Sequence, residues 1–145
     1  MTTYNKEQHK YDLDSFPQSL ERLERYLKAN NQSLDKLVAV FDIGTKAGRL
    51  LIGKIDVPNG DGWSSYDFFN DGQVFNLGAD IDLESDTISI ERSQGLKGII
   101  FFINSYLNII KATSFNDNNI VIVGTAVFRW LSNSKDVIKH IKKKT

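Results

Sequence analysis

The chain has 145 residues, which is enough for one domain with a buried core. Hydrophobic residues make up 41% and charged residues 25%, as in ordinary globular proteins. Eighteen basic and eighteen acidic residues cancel, which argues against a protein that coats nucleic acid or binds a membrane surface. The absence of cysteine excludes disulfides, zinc–thiolate sites and a thiol nucleophile, and we expect a cytoplasmic protein.

Membrane insertion is not expected from the hydropathy pattern. The polar residues 1–10 lack the apolar core of a signal peptide. The longest apolar run, residues 99–103 (IIFFI), is far too short to cross a bilayer.

The first elements predicted along the chain are a loose segment and one helix. Residues 1–14 show no clear period. Pro17 suits the first turn of a helix, and leucines then recur at helical spacing, at positions 20, 23 and 27. We therefore predict an amphipathic helix over residues 17–29, within an N-terminal extension formed by residues 1–36.

A change of period marks the start of the main domain, residues 37–145. The apolar run 37–41 (LVAVF) has the pattern of a strand that is buried on both faces. The polar residues 42–48 predict a tight turn, and residues 49–57 predict the return strand of a hairpin. Residues 63–75 are expected to supply a third strand with a bend.

A long helix is predicted over residues 85–112, with Ser85 or Asp86 as its cap and a possible break near 91–98, where two glycines fall. The acidic residues 80–86 (DIDLESD) resemble a calcium loop only superficially. Such a loop needs a glycine and a spaced glutamate that are missing here. We interpret this segment as a solvated acidic connection.

One more strand and two short helices complete the predicted order. Residues 120–124 (IVIVG) predict a second buried strand, followed by helices over 125–131 and 135–144. A hairpin followed by a helical crossover predicts an α/β fold, a mixed sheet with helices on its faces.

The hairpin turn after the first strand contains the groups that anion and metal binding need. Asp42 ends the strand at the sheet edge, where a carboxylate can hold a hydrated divalent cation. Gly44 permits a sharp turn, and the N–H groups after it can point at a phosphate. Thr45 adds a hydroxyl and Lys46 a mobile positive charge. The alternative is an ordinary hairpin with a polar tip.

A second candidate segment joins the last strand to the helix after it. A Gly-Thr turn at residues 124–125 leads into a helix N-terminus, whose N–H groups can bind an anion. Arg129 lies one turn after Thr125 on the same helix face, and its planar guanidinium suits a pair of phosphate oxygens. The alternative makes Thr125 a simple helix cap and Arg129 a surface ion-pair partner.

Together the two segments resemble the exopolyphosphatase/guanosine-pentaphosphate phosphohydrolase (Ppx/GppA) family of the actin-like superfamily. The family opens with a strand and an Asp-Ile-Gly-Ser-Asn-Ser-x-Arg-Leu turn, and residues 42–50 (DIGTKAGRL) are similar. Its later Ala-Thr-Ser-Ala-Leu-Arg-x-Ala-x-Asn segment is similar to residues 124–133 (GTAVFRWLSN). The resemblance covers residues 37–145 and implies a ribonuclease-H-like sheet, one lobe of an actin-like fold.

The resemblance also implies roles for individual residues and for partners. Asp42 would face Mg²⁺, the residues 44–46 and Thr125 would hold phosphate, and Arg129 would be the catalytic contact to a substrate phosphate. The substrate would be polyphosphate or a guanosine polyphosphate, hydrolysed at a terminal phosphoanhydride. The family's catalytic glutamate and second phosphate loop belong to sequence beyond residue 145, so we expect residues 1–145 alone to be inactive without a C-terminal lobe. A homodimer is a further possibility.

Departures from the family pattern keep two other functions open. Residues 45–47 (TKA) replace Ser-Asn-Ser, and residues 124–126 (GTA) replace Ala-Thr-Ser, with loss of polar side chains. These losses favour a degenerate phosphate- or nucleotide-binding regulatory module. The segment 42–45 alone also resembles actin-like sugar and acetate kinases.

Overall fold

The computed structural model describes residues 6–54 and 69–145, with side chains from residue 17 onward. The α-helices in these parts are α1 (Lys6–Ala29), α2 (Gln94–Lys111), α3 (Val127–Trp130) and α4 (Ser134–Lys144). The strands are β1 (Leu37–Ile43), β2 (Ala47–Lys54), β3 (Phe69–Val74), β4 (Ile81–Asp82), β5 (Thr87–Ile88) and β6 (Ile120–Gly124). A short 3-10 helix, Leu77–Asp80, is called the 77–80 helix below.

The main sheet has the strand order β3-β2-β1-β6. β1, β2 and β3 are antiparallel neighbours, whereas β6 runs parallel to β1 after the chain has crossed over through α2. β4 and β5 pair with each other as a separate small hairpin. The predicted α/β fold class, with a mixed sheet and helices packed against it, is confirmed.

Side chains of β1 alternate between two faces of the sheet. Phe41 and Ile43 are almost fully buried on the face that the helices cover, which we call the helix-covered face. Val40 and Asp42 are half-buried on the opposite face, the open face. The prediction that β1 is buried on both faces is therefore wrong. The prediction failed because the open face also carries apolar side chains near β1, such as Leu51, which is 38% exposed. The sequence of β1 therefore does not alternate between apolar and polar residues.

Helix α1 belongs to the same core as the sheet. It packs on α2 and β3, and Leu23 and Leu27 are fully buried there, as their spacing predicted. The predicted start of this helix is wrong, because α1 already includes Lys6, and Pro17 lies inside it. Residues 6–16 extend α1 toward the N-terminus without an apolar period, so the pattern of the sequence did not indicate them as helix. Residues 1–5 lie outside the described residues.

A polar cluster ties α1 to β3 and α2. The Tyr106 hydroxyl donates to the Asp71 carboxylate, and Arg22 lies 3.7 Å from the same carboxylate. The Arg22 guanidinium also sits 5.3 Å from the centre of the Phe69 ring and donates to the Asn70 carbonyl at 3.0 Å. Burial, reinforced by Asp71, raises the pKa of Tyr106 far above its usual range, so this hydroxyl stays protonated and remains a donor.

Helix α2 begins within the predicted break and not at Ser85 or Asp86. Its cap is Ser93, whose Oγ accepts from the N–H of Leu96 at 3.0 Å. Asp80 Oδ2 accepts from the Ser93 hydroxyl at 2.6 Å and from the Gly95 N–H at 2.8 Å. The prediction of a solvated acidic segment is thus wrong for Asp80, because its carboxylate satisfies donors in the first turn of α2.

β6 is an edge strand within the described part of the chain. Val121, Ile122 and Val123 are 44%, 42% and 42% exposed, so the predicted strand is present but its predicted burial is wrong. The reason is that no described strand pairs with its outer edge. The helix predicted over 125–131 is the four-residue α3, and α4 matches its prediction closely.

Other sequence predictions fall partly outside the described residues. These concern residues 55–57 of the return strand, the turn cluster 58–62 and the start of the third strand, 63–68; β3 accounts for the rest of that strand. Over the ranges that are described, no helix combines the length and apolar character needed to cross a bilayer.

Phe102 occupies the centre of the core and should be the most sensitive position of α2. It is 1% exposed and makes edge-on ring contacts with Phe41, Phe75 and Tyr106. We expect Phe102→Ala to lower the free energy of unfolding by about 3–5 kcal/mol, because it leaves a cavity among these rings. The neighbouring Phe101 is 54% exposed, and Phe101→Ala should cost under about 1 kcal/mol. Urea denaturation followed by circular dichroism measures both, and equal losses would contradict this packing.

Candidate functional site

β1 and β6 end side by side at one edge of the sheet. Ile43, the last residue of β1, is the partner of Gly124, the last residue of β6. The N–H and the hydroxyl of Thr125 both donate to the Ile43 carbonyl, at 3.0 and 3.2 Å. A Cβ on Gly44 would lie 3.4 Å from Thr125 Oγ1. The structure thus brings together the two loops that the sequence predicted as phosphate-binding segments.

The structure gives Thr125 a local role that differs from that of a simple helix cap. The cap of α3 is Ala126, without a side-chain hydrogen bond, so Thr125 is not a simple helix cap. With four residues, α3 also has too few aligned peptides for a substantial dipole. The Thr125 hydroxyl proton is directed at Ile43. Thr125 therefore joins the two loops, and its phosphate contact stays a prediction.

The backbone of the β1–β2 turn is oriented by the segment that follows β3. The Thr45 carbonyl accepts from the Gly78 N–H at 3.0 Å, and the Lys46 carbonyl accepts from the N–H groups of Phe75 and Asn76 at 2.9 and 3.0 Å. In a trans peptide the carbonyl and the following N–H point in opposite directions. The Lys46 N–H therefore points away from this segment. Within the described residues, no acceptor takes the N–H of Thr45 or Lys46.

Two charged side chains lie beside the turn on the open face. Asp42 is half-buried, and Arg49 is its direct partner across the β1–β2 pair, so both point to the same side. The Arg49 side chain extends over Gly72, where a Cβ would lie 3.3 Å from its Cγ. Among the described residues, neither Asp42 nor Arg49 forms an ion pair. No role was predicted for Arg49 from the sequence, although a short hairpin turn already implies its register with Asp42.

Asp42 fits a Mg²⁺ ion that is shared with phosphate oxygens. Mg²⁺ keeps several waters and is commonly held by one or two carboxylates together with substrate phosphates. Asp42 offers one such carboxylate, without a protein partner in the described ranges. A site built from protein ligands alone does not fit, since the described residues include no cluster of three or more acidic or histidine side chains that could hold a metal.

Arg129 lies away from Asp42. It is exposed and lines a groove of about 350 Å³ between β6 and α4, together with Ile43, Ile122 and Lys142. Ile43 belongs to the helix-covered face, and so does Ile122, the register partner of Phe41. Asp42 belongs to the open face. The structure therefore does not bring the predicted catalytic arginine to the predicted metal ligand, and the catalytic role of Arg129 stays a prediction.

Asn133, which matches an asparagine of the family segment, has a structural contact. Its Oδ1 accepts from the Ile88 N–H at 3.2 Å, and its Nδ2 donates to the Ile88 carbonyl at 2.7 Å. The Ser132 N–H adds a bond to the Asp86 carbonyl at 2.8 Å. Asn133 thus fixes the β4–β5 hairpin to the link between α3 and α4.

Comparisons with known proteins find this fold among solved structures. No protein-family model and no curated protein matches the chain. The crystal structure of the Aquifex aeolicus member of the Ppx/GppA family has a TM-score of 0.56 at 20% identity, covering 74% of this chain and 31% of that one. An exopolyphosphatase from Cytophaga hutchinsonii has a TM-score of 0.55 at 21% identity, covering 74% and 31%. The chain has the fold of a Ppx/GppA lobe.

The resemblance inferred from the two segments is thus confirmed at the level of the fold. Sequence identities of 20% and 21% support a shared fold and nothing beyond it. The chain also spans only about a third of the length of these Ppx/GppA structures. The activity, substrate and partners of the longer proteins are therefore matters for proposal.

Close packing at the end of β6 gives a direct test of the loop geometry. A Cβ on Gly124 would lie 2.7 Å from Cδ2 of Phe128, whose ring is buried. We expect Gly124→Ala to cost about 1–3 kcal/mol, because Phe128 must leave its position. Gly44→Ala should cost less, since its Cβ would lie no closer than 3.3 Å to the Ala47 carbonyl oxygen. Calorimetric melting compares the two, and a larger loss at Gly44 would contradict the described packing.

Proposed function

We propose that the chain belongs to the Ppx/GppA family and acts as the N-terminal lobe of a Mg²⁺-dependent phosphoanhydride hydrolase. The observation that carries this proposal is the β1–β2 turn. It combines two N–H groups without a described acceptor, the Thr45 hydroxyl and the Lys46 ammonium, next to the Asp42 carboxylate. The fold adds support, because similar structures include an exopolyphosphatase. The proposed substrate is polyphosphate or a guanosine polyphosphate.

Each residue of the turn has a distinct task in this proposal. The N–H groups of Thr45 and Lys46 bind oxygens of a terminal phosphate, and the Lys46 ammonium compensates their charge. Asp42 holds the Mg²⁺, which when bound polarises the phosphoryl group. Arg49 contributes a second cation on the same face, where a longer phosphate chain can reach its guanidinium.

The rest of the machinery is proposed to come from a C-terminal lobe. Attack by water requires a general base within hydrogen-bond reach of it. The match to this chain covers only 31% of each of the similar structures, which leaves room for that lobe. The edge of β6 that no described strand pairs with is a suitable place for it to join, because an exposed strand edge readily accepts another strand. We retain the cytoplasm as the proposed location, in keeping with the lack of cysteine.

The position of Arg129 favours a second candidate function, a module that binds phosphate without hydrolysing it. A guanidinium assists phosphoryl transfer only if it contacts the charge that develops on the transferred group. Arg129 lines a groove on the helix-covered side, whereas the turn and Asp42 carry the proposed phosphate site. A phosphate-binding regulatory protein needs only the turn.

Binding of inorganic tripolyphosphate tests the proposed site. Isothermal titration of residues 1–145 should show binding that Lys46→Gln weakens about tenfold with or without Mg²⁺, because a charged contact is lost. Asp42→Asn should weaken binding only when Mg²⁺ is present. Lys139→Gln, which removes an exposed cation of α4, is the matched control. A loss at Lys139 as large as that at Lys46 would mean that attraction is nonspecific, and the proposal would fall.

Phosphate release from polyphosphate separates binding from catalysis. We expect residues 1–145 with Mg²⁺ to bind tripolyphosphate but release almost no phosphate, since no base is in place. Turnover like that of two-lobed enzymes would refute the need for a second lobe. Arg129→Gln should leave the affinity within about twofold, because its groove lies on the helix-covered side of the sheet, whereas Asp42 points to the open face. A tenfold weakening would instead bring Arg129 into the phosphate site.

A further inference from the structure

We propose that Gly78 is a positioning residue that fixes the side chain of Thr45 so that its hydroxyl is presented to phosphate. The inference deepens the proposed function and rests on it. Along the sequence, the 77–80 helix is distant from the two segments predicted to bind phosphate, and neither segment includes it.

The contact between Gly78 and Thr45 is too close for any side chain at position 78. The Gly78 N–H donates to the Thr45 carbonyl at 3.0 Å, and a Cβ on Gly78 would lie 2.7 Å from Cγ2 of Thr45. The Thr45 methyl therefore packs directly against the glycine backbone. Only a glycine allows this approach.

The packed methyl determines where the Thr45 hydroxyl points. Threonine is branched at Cβ and populates a few staggered rotamers, so placing the methyl against Gly78 also places the hydroxyl in a different direction. Thr45 is exposed, and no described residue hydrogen-bonds its hydroxyl. This donor is thus held in one orientation on the exposed turn, where a phosphate oxygen bound there can accept from it.

The 77–80 helix cannot readily move back to make room. Leu77 is fully buried, and a Cβ on Gly95 would lie only 3.0 Å from the Leu77 Cα. At the other end of the helix, Asp80 accepts from the Ser93 hydroxyl and the Gly95 N–H. The first turn of α2 therefore packs against the 77–80 helix and holds it in place. A methyl group added at position 78 must displace Thr45.

A paired substitution isolates this contact. Gly78→Ala should rotate or shift Thr45 and weaken the binding of inorganic tripolyphosphate with Mg²⁺ to residues 1–145 about tenfold. Thr45→Ser removes Cγ2 but keeps the hydroxyl, and its freed rotamer should weaken binding about threefold. In the double variant the added methyl has room, so its affinity should equal that of Thr45→Ser. The effects of the two single substitutions on the binding free energy would then not add up in the double variant, as expected for two residues in direct contact.

Two further variants keep the test decisive. Thr45→Val retains the packed methyl and lacks the hydroxyl. It should weaken the binding of tripolyphosphate about tenfold and leave the melting temperature unchanged. This result can be obtained even if Gly78→Ala fails to fold. Ala79→Ser, at an exposed neighbour of Gly78, should bind like the original chain. Three-bond NMR couplings of Thr45 report its rotamer and should change in Gly78→Ala alone, which a purely structural role of Gly78 would not produce.

The outcomes distinguish this inference from the proposed function. If the original chain binds tripolyphosphate and either Gly78→Ala or Thr45→Val binds equally well, the inference is overturned and the phosphate site stands. Failure of the double variant to recover relative to Gly78→Ala also overturns it. If the original chain does not bind tripolyphosphate at all, the proposed function falls and the inference falls with it.

Discussion

The parallel pairing of β1 with β6 is the constraint on which the rest of the site depends. Its last contact is the Ile43 carbonyl, which accepts from both the N–H and the hydroxyl of Thr125. The two strands are joined through α2, so their alignment goes together with the packing of that helix against the helix-covered face. Alignment then places the two loops at one sheet edge, where open α/β sheets commonly bind ligands.

A second set of contacts extends from the core to the turn. Phe102 of α2 packs against Phe75, whose N–H bonds to the Lys46 carbonyl. The 77–80 helix continues this connection, with Gly78 at Thr45 and Asp80 at the start of α2. The turn is therefore supported from behind by buried groups while its outer side carries donors for a ligand. Such support reduces the ordering that binding would otherwise require.

The alternation of side chains along β1 separates Asp42 from Arg129, the metal ligand and the catalytic residue that the resemblance to the Ppx/GppA family implied. Asp42 and Ile43 are neighbours in β1, yet their side chains point to opposite faces. Arg129 lies in the groove on the side of Ile43, whereas Arg49 lies on the side of Asp42. The cationic side chain that lies directly across the β1–β2 pair from Asp42, the proposed metal ligand, is thus Arg49. A phosphate site at the turn is compatible with both proposed functions, and the hydrolase requires further chain.

The sequence by itself determined most of the elements around the main sheet and their order, but not the β4–β5 hairpin or the starts of α1 and α2. Apolar periodicity and a glycine-containing turn were sufficient for the β1–β2 hairpin, the crossover helix and the candidate residues 42–46, because these depend on near neighbours. Tertiary structure alone decided the exposure of β6, the contact of Asp80 with the first turn of α2, the side on which Arg129 lies, and the contact of Gly78 with Thr45. Each of these depends on which distant segment packs against the residue, and periodicity carries no information about that partner.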